Sequence, residues 1–180
     1  MSRLTVVDPA SARAGAKPLL DAVQSSLGMV PNFVRVLANA PAALEGFLGL
    51  YVIAGKGALD AQTRERIALA VAEANACQYC VSAHAAVGRQ AGLDDAEIAA
   101  ARHGTSADPK GAAAVTFARA LVASMGAMSN AEFQAARDAL TEEEVVEVIA
   151  HVALNVFTNL LGKSAQVPID FPEVALLRAA

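Results

Sequence analysis

The chain has 180 residues, 55% of them hydrophobic and only 18% charged, with a formal net charge of −4. That length suits a single domain over residues 1–180 with a sizeable core. The mild acidity, with no basic block or basic-aromatic face, makes nucleic acid an unexpected partner. Residues 1–9 hold no apolar stretch long enough for a signal peptide. The most apolar later region, 145–161, is interrupted by Glu147, His151, Asn155 and Asn159, so it reads as a buried helix rather than a membrane span. The expectation is a cytoplasmic protein with no membrane partner, a setting where a cysteine pair is seldom a structural disulfide.

Helix signals recur from about residue 17, with alanine, the strongest helix former, supplying much of the apolar excess. Residues 32–39 follow Pro31, and Pro41 suits the first turn of the next helix, through about Ala54. Gly55 and Gly57 break the pattern. Asp60 is a fitting N-cap for a helix to about Ala76, with Ile67, Val71 and Ala74 on one face. A further helix carries Cys80 to Ala91 and stops at Gly92. Asp94 with Glu97, Ser129 with Glu132, and Thr141 with Glu144 have capping-box spacing, the last opening a long helix over 142–161. Asp108-Pro109 starts another helix, to about Met125. The tail, with Pro168 and Pro172, reads as irregular and extended.

The chemistry-bearing stretch is 63–92, TRERIALAVAEANACQYCVSAHAAVGRQAG, which holds both cysteines and one of three histidines. On a helix, residues three or four apart are neighbours, so Cys77 and Cys80 can approach disulfide range. His84 can reach back toward Cys80. A helix starting near Cys77 would favour a thiolate through its free amides and dipole, lowering a thiol pKa from its free value of about 8.5.

Plainer readings compete. Two cysteines can be small core residues, though their spacing, with a histidine four residues on, favours redox chemistry. Zinc would find three ligands in Cys77, Cys80 and His84, but His103 and His151 stand alone and supply no second pair. Covalent haem needs a histidine where Val81 stands. By composition Glu65 is an ordinary solvated helix start, and Glu73 a structural hydrogen-bonding group. His103 reads as a helix C-terminal residue and His151 as a satisfied core histidine. Gly162-Lys163-Ser164 resembles the end of a phosphate loop, but Phe157 occupies the position its first glycine requires.

Glu65, eleven intervening residues, then Cys77, Cys80 and His84 in C-x-x-C-x-x-x-H register resemble the alkylhydroperoxidase D-like (AhpD-like) branch of the carboxymuconolactone decarboxylase superfamily. The likeness extends from residues 28–33 (GMVPNF) to 167–172 (VPIDFP), flanks similar to those of peroxidase-related proteins. The resemblance implies an all-α, single-domain helical bundle of about eight helices, assembled as a homotrimer or homohexamer. It implies a cofactor-independent thiol peroxidase for small hydroperoxides, regenerated by an external dithiol, thioredoxin-like or lipoyl reductant. Carried over, Cys80 is the attacking thiol, Cys77 the resolving thiol, and Glu65 with His84 the proton relay. That role implies Glu65 within reach of Cys77, and because one unbroken helix would turn positions twelve residues apart by about 120°, at 100° per residue, it also implies a break near Asn75-Ala76. Tyr79 stands where the best-known members have histidine. With an ordinary pKa near 10 it suits a hydrogen-bond bridge better than a base. A dithiol carrier or disulfide reductase using the same pair, or a helical binding protein with a structural Cys/His site, are the other functions the motif allows.

Overall fold

Short polar caps cut the alanine-rich sequence into helices. The side chains of Asp60, Asp94 and Asp108 accept the backbone N–H groups of Thr63, Glu97 and Gly111, and Ser129 and Thr141 form complete capping boxes with Glu132 and Glu144. The computed structural model describes residues 1–177; the last three residues of the expected 1–180 unit lie outside them. Among the described residues there are nine α-helices and no strand: α1 Lys17–Leu27, α2 Asn32–Leu37, α3 Pro41–Ala54, α4 Ala61–Ala74, α5 Gln78–Gln90, α6 Asp95–His103, α7 Pro109–Ser124, α8 Asn130–Ala139 and α9 Glu142–Ser164. The all-α architecture is as the sequence implies, with one helix more than expected.

α4 is the central element, packed against α5, α6, α7 and α9. Ile67, Leu69, Val71 and Ala72 on it are fully buried, each large apolar side chain contributing about 1.5–3 kcal/mol by leaving water. One part of the core joins α1, α2, α3 and α5 around Leu20, Phe33, Leu44 and Val81, and it includes both cysteines. A second joins α4 to α7, α8 and α9 around Ile67, Phe117 and Val148. α9 is long and apolar enough by composition to cross a membrane, but Val145, Val148, Val152 and Leu154 on it are buried in the protein core.

The break between α4 and α5 falls at Asn75–Ala76. Asn75 is the C-cap, Ala76 takes a left-handed conformation with φ 51°, and Cys77 caps α5. The Cys77 N–H bonds the Ala72 carbonyl at 2.9 Å and the Ala76 N–H bonds Glu73 at 3.0 Å, the paired bonds of a Schellman motif. Alanine stands where such motifs favour glycine, so no glycine marks the break that was expected here. Beyond α9 the chain runs extended across α5. Val174 N–H donates to Ser82 Oγ at 3.0 Å, and Leu177 N–H to Glu73 Oε1 at 2.8 Å.

Candidate active site

Cys77 and Cys80 are paired as a disulfide, with Cα atoms 5.3 Å apart. The pairing follows from the junction: Cys77 sits just outside α5 as its N-cap, and Cys80 lies in the first turn. Cys77 Sγ accepts the Cys80 N–H at 3.4 Å. The two sulfurs face different surroundings. Cys80, 3% exposed, lines a cavity of about 1010 Å³ between α1, α3, α5 and α9. Cys77, 1% exposed, does not line it. The last turn of α9 lies against both sulfurs, where a Cβ on Gly162 would stand 3.1 Å from Cys77 Sγ and 3.6 Å from Cys80 Sγ. A side chain there would press on Cys77, so glycine lets α9 pack closely over the pair.

Glu65 and His84 also line the cavity, and Glu65 Oε2 meets His84 Nδ1 at 2.8 Å. Here the structure departs from the sequence-based expectation. Glu65, 9% exposed, is no solvated helix start, and its partner is His84 rather than Cys77. The reason is local: the break at Asn75–Ala76 folds α5 back along α4, which brings the residue one turn past Cys80 beside Glu65. Among the described residues no hydrogen bond joins the imidazole to a sulfur. Phe33, Phe47 and Phe171 give the cavity aromatic walls, joined by Leu19, Val23 and Leu154.

Tyr79 borders the same cavity, but its hydroxyl is already engaged. It accepts the Phe33 N–H at 3.1 Å and donates to Asp170 Oδ1 at 3.0 Å, while Asp170 Oδ2 accepts the Asn32 N–H at 2.7 Å. Burial, with Asp170 adding to it against the Phe33 bond, pushes the phenol far above its ordinary value. The phenol thus ties α5 to the start of α2 and to the tail. Asp170 and Phe171, whose ring centroid lies 5.9 Å from that of Tyr79, were noted in the sequence only as part of the tail similarity. Gly162 drew attention only as part of a rejected phosphate loop.

Other candidates fall elsewhere. Glu73 accepts Arg102 Nε at 2.8 Å as well as the Leu177 N–H, the structural role expected of it. His103 ends α6 beside Gly104. His151 is buried, and its Nε2 has no hydrogen-bond partner among the described residues, so the core histidine that the sequence suggests is satisfied at most in part. Burial is the main reason its pKa falls below 6.5; Arg64 adds to this, and the nearby Ala54 carbonyl, Glu147 and Glu65 oppose it. The Asp94 cap lacks the reciprocal half of its box, because Glu97 turns instead to Arg66, Ser106 and Ala107. Among the described residues no group of three or more His, Cys, Asp and Glu side chains is gathered to hold a metal.

Residues 39–123, which contain the whole Glu65–His84 constellation, match the model of the Carboxymuconolactone decarboxylase family. The fold is AhpD-like. That fold is shared with the alkylhydroperoxidase AhpD core structure of an uncharacterized peroxidase-related protein from Ralstonia eutropha, at TM-score 0.83 and 24% identity over 94% of this chain and 92% of that one. A cysteine-to-alanine variant of the debrominase Bmp8 in complex with 2,3,4-tribromopyrrole is similar at TM-score 0.79 and 22% identity, over 94% of each chain. An uncharacterized peroxidase-related protein from a Silicibacter species gives TM-score 0.81 and 21% identity, over 93% of this chain and 91% of that one. In sequence, an uncharacterized protein of Haemophilus influenzae is 45% identical over 55 residues. That match spans 30% of this AhpD-like chain and about half (49%) of the relative.

Proposed function

We propose that this AhpD-like protein is a cofactor-independent thiol peroxidase that reduces organic hydroperoxides through a Cys77/Cys80 dithiol–disulfide cycle. The observation that carries this reading is the asymmetry of the pair: Cys80 opens onto the apolar cavity beside the hydrogen-bonded Glu65 and His84, and Cys77 lies behind it. In the reduced protein the Cys80 thiolate attacks the outer oxygen of ROOH. An S–O bond forms, the O–O bond breaks, and the leaving alkoxide takes a proton relayed by His84 and Glu65 to depart as alcohol. Cys77 thiolate then attacks the sulfenic sulfur of Cys80, expelling hydroxide, which is protonated to water and leaves the disulfide. An external dithiol restores both thiols, which suits a reducing compartment such as the cytoplasm. Tyr79 acts as a pin for the first turn of α5 rather than as a proton relay. Reduced protein mixed with a panel of hydroperoxides tests the proposal: thiols should disappear rapidly and return with a dithiol. Slow reaction with every peroxide, together with fast exchange with protein disulfides, would instead indicate a dithiol carrier.

A second reading draws on the cavity's size and aromatic walls and on the likeness to the debrominase. The same dithiol supplies two electrons, and reduction of R–Br to R–H with release of HBr and formation of the disulfide is balanced. Bromide release from a bromopyrrole separates it from peroxide reduction.

We also propose that the protein works as a homotrimer or homohexamer. Val146, Ile149, Phe157 and Leu160 form an exposed apolar stripe along α9, and Leu50, Tyr51, Val52 and Ile53 are exposed on α3. Apolar surface of that extent is typical of an interface. Light scattering that returns the protomer mass of 18.4 kDa would contradict it.

A further inference from the structure

We propose that reductive regeneration is one-sided: an external thiol attacks Cys80 from the cavity, and Cys77 departs as a thiolate at the start of α5. This rests on the dithiol–disulfide cycle above and adds which sulfur is attacked and which one leaves. Access is the first reason. Cys80 lines the cavity, whereas Cys77 is 1% exposed and covered by the last turn of α9. With a Cβ on Gly162 only 3.1 Å from Cys77 Sγ, no space for an incoming sulfur separates that backbone from Cys77.

Leaving-group chemistry points the same way. Cys77 is the N-cap of α5, and its Sγ already accepts the Cys80 N–H at 3.4 Å. A thiolate formed there gains that hydrogen bond in its stronger, charge-assisted form and the positive end of the α5 dipole. Thiol–disulfide exchange runs faster when the departing sulfur is the better-stabilised thiolate. Cys80, inside the first turn, has no such capping position. The step is balanced: a new S–S bond forms between the reductant and Cys80, the Cys77–Cys80 bond breaks, and its electron pair stays on Cys77. A second reductant thiol then attacks the reductant sulfur of the mixed disulfide, releasing Cys80 and leaving the reductant oxidised.

Oxidised full-length protein is mixed with excess 2-mercaptoethanol, quenched with N-ethylmaleimide at successive times, digested, and mapped by mass spectrometry. The earliest samples should carry mercaptoethanol on Cys80 and maleimide on Cys77, in about tenfold or greater excess over the reverse pattern. Mercaptoethanol equally or mainly on Cys77 would overturn the sidedness and leave the cycle standing. A disulfide that resists thiol altogether would overturn both. Single-cysteine proteins, Cys77→Ala and Cys80→Ala, each charged as a thionitrobenzoate mixed disulfide, give a reading free of shuffling between the two sulfurs. Mercaptoethanol should release thionitrobenzoate about tenfold faster from Cys80 than from Cys77, and equal rates would overturn the proposal.

Discussion

Glu65 and Arg66 are neighbours on α4, both buried and each hydrogen-bonded to a side chain of opposite acid–base character, yet their surroundings differ in kind. Arg66 donates Nε to Glu97 at 2.7 Å, and Glu97 also accepts Ser106 Oγ at 2.6 Å and the Ala107 N–H at 2.7 Å. Burial pushes the Glu97 carboxyl up, but hydrogen bonds from Ser106, Ala107 and Arg66 outweigh it and hold it below its ordinary value. That cluster has its partners and is fixed in one charge state. Glu65 makes one side-chain hydrogen bond among the described residues, to an imidazole that can take up or release a proton, and it borders the cavity with Cys80. A saturated ion pair serves the fold; a carboxyl–imidazole pair with spare hydrogen-bonding capacity beside a thiol is suited to moving protons.

Substitutions on the cavity side should remove activity and spare stability, and those in the saturated cluster should do the reverse. The largest effect belongs to the sulfurs. Cys80→Ser should abolish peroxide consumption, while Cys77→Ser should allow one turnover and leave a sulfenic acid on Cys80, detectable with a dimedone-type reagent. Next comes His84→Ala, for which we expect a loss of about 10²–10⁴-fold in rate at neutral pH, shrinking at high pH where the thiolate forms unaided. Its urea unfolding midpoint should stay close to that of the parent protein. Glu97→Ala should behave oppositely. It leaves the buried Arg66 guanidinium without its main partner, costing about 2 kcal/mol in urea unfolding, less than the 3–5 kcal/mol of a wholly buried pair because Glu97 keeps some contact with water. Its rate per folded molecule should be unchanged.

His151 offers a finer test. Its folded pKa lies below 6.5, so below about pH 6.5 the unfolded chain binds a proton that the native ring does not, and stability falls with pH from there down to the folded value. His151→Gln should lose less unfolding free energy than the parent protein between about pH 7 and pH 5. The smallest effect is expected from Ala76→Gly, which relieves a left-handed alanine at φ 51° and should stabilise the chain by up to about 1 kcal/mol, offset partly by the flexibility glycine gives the unfolded state.

Local signals made much of this legible in the sequence. Caps at Asp60, Ser129 and Thr141 act within four residues, and the C-x-x-C-x-x-x-H spacing is a statement about one helix. The end of α4 has no glycine to mark it, because its Schellman stop uses Ala76, yet the break falls at Asn75–Ala76, where the expected placing of Glu65 near Cys77 required a break. Long-range partners could not be read from spacing. Glu65 was expected at Cys77, and only the path of the chain after Asn75 determines that His84 intervenes. Gly162 and Asp170 approach the site from 85 and 91 residues beyond Cys77 and Tyr79, a distance over which no periodic pattern carries information. The burial of His151 follows from the apolar helix, but which of its ring nitrogens finds a partner depends on elements far from it in sequence.

The central claim is that Cys80, opening onto the cavity, reduces a hydroperoxide and is captured by Cys77. Reduced protein mixed with one equivalent of an organic hydroperoxide, with the protein followed by intact mass and the alcohol quantified, tests it most directly. The account predicts one alcohol formed per chain, loss of two hydrogens from the protein mass, and full reversal with a dithiol. Peroxide consumed while both cysteines remain thiols, or thiols that persist alongside intact peroxide, would contradict it.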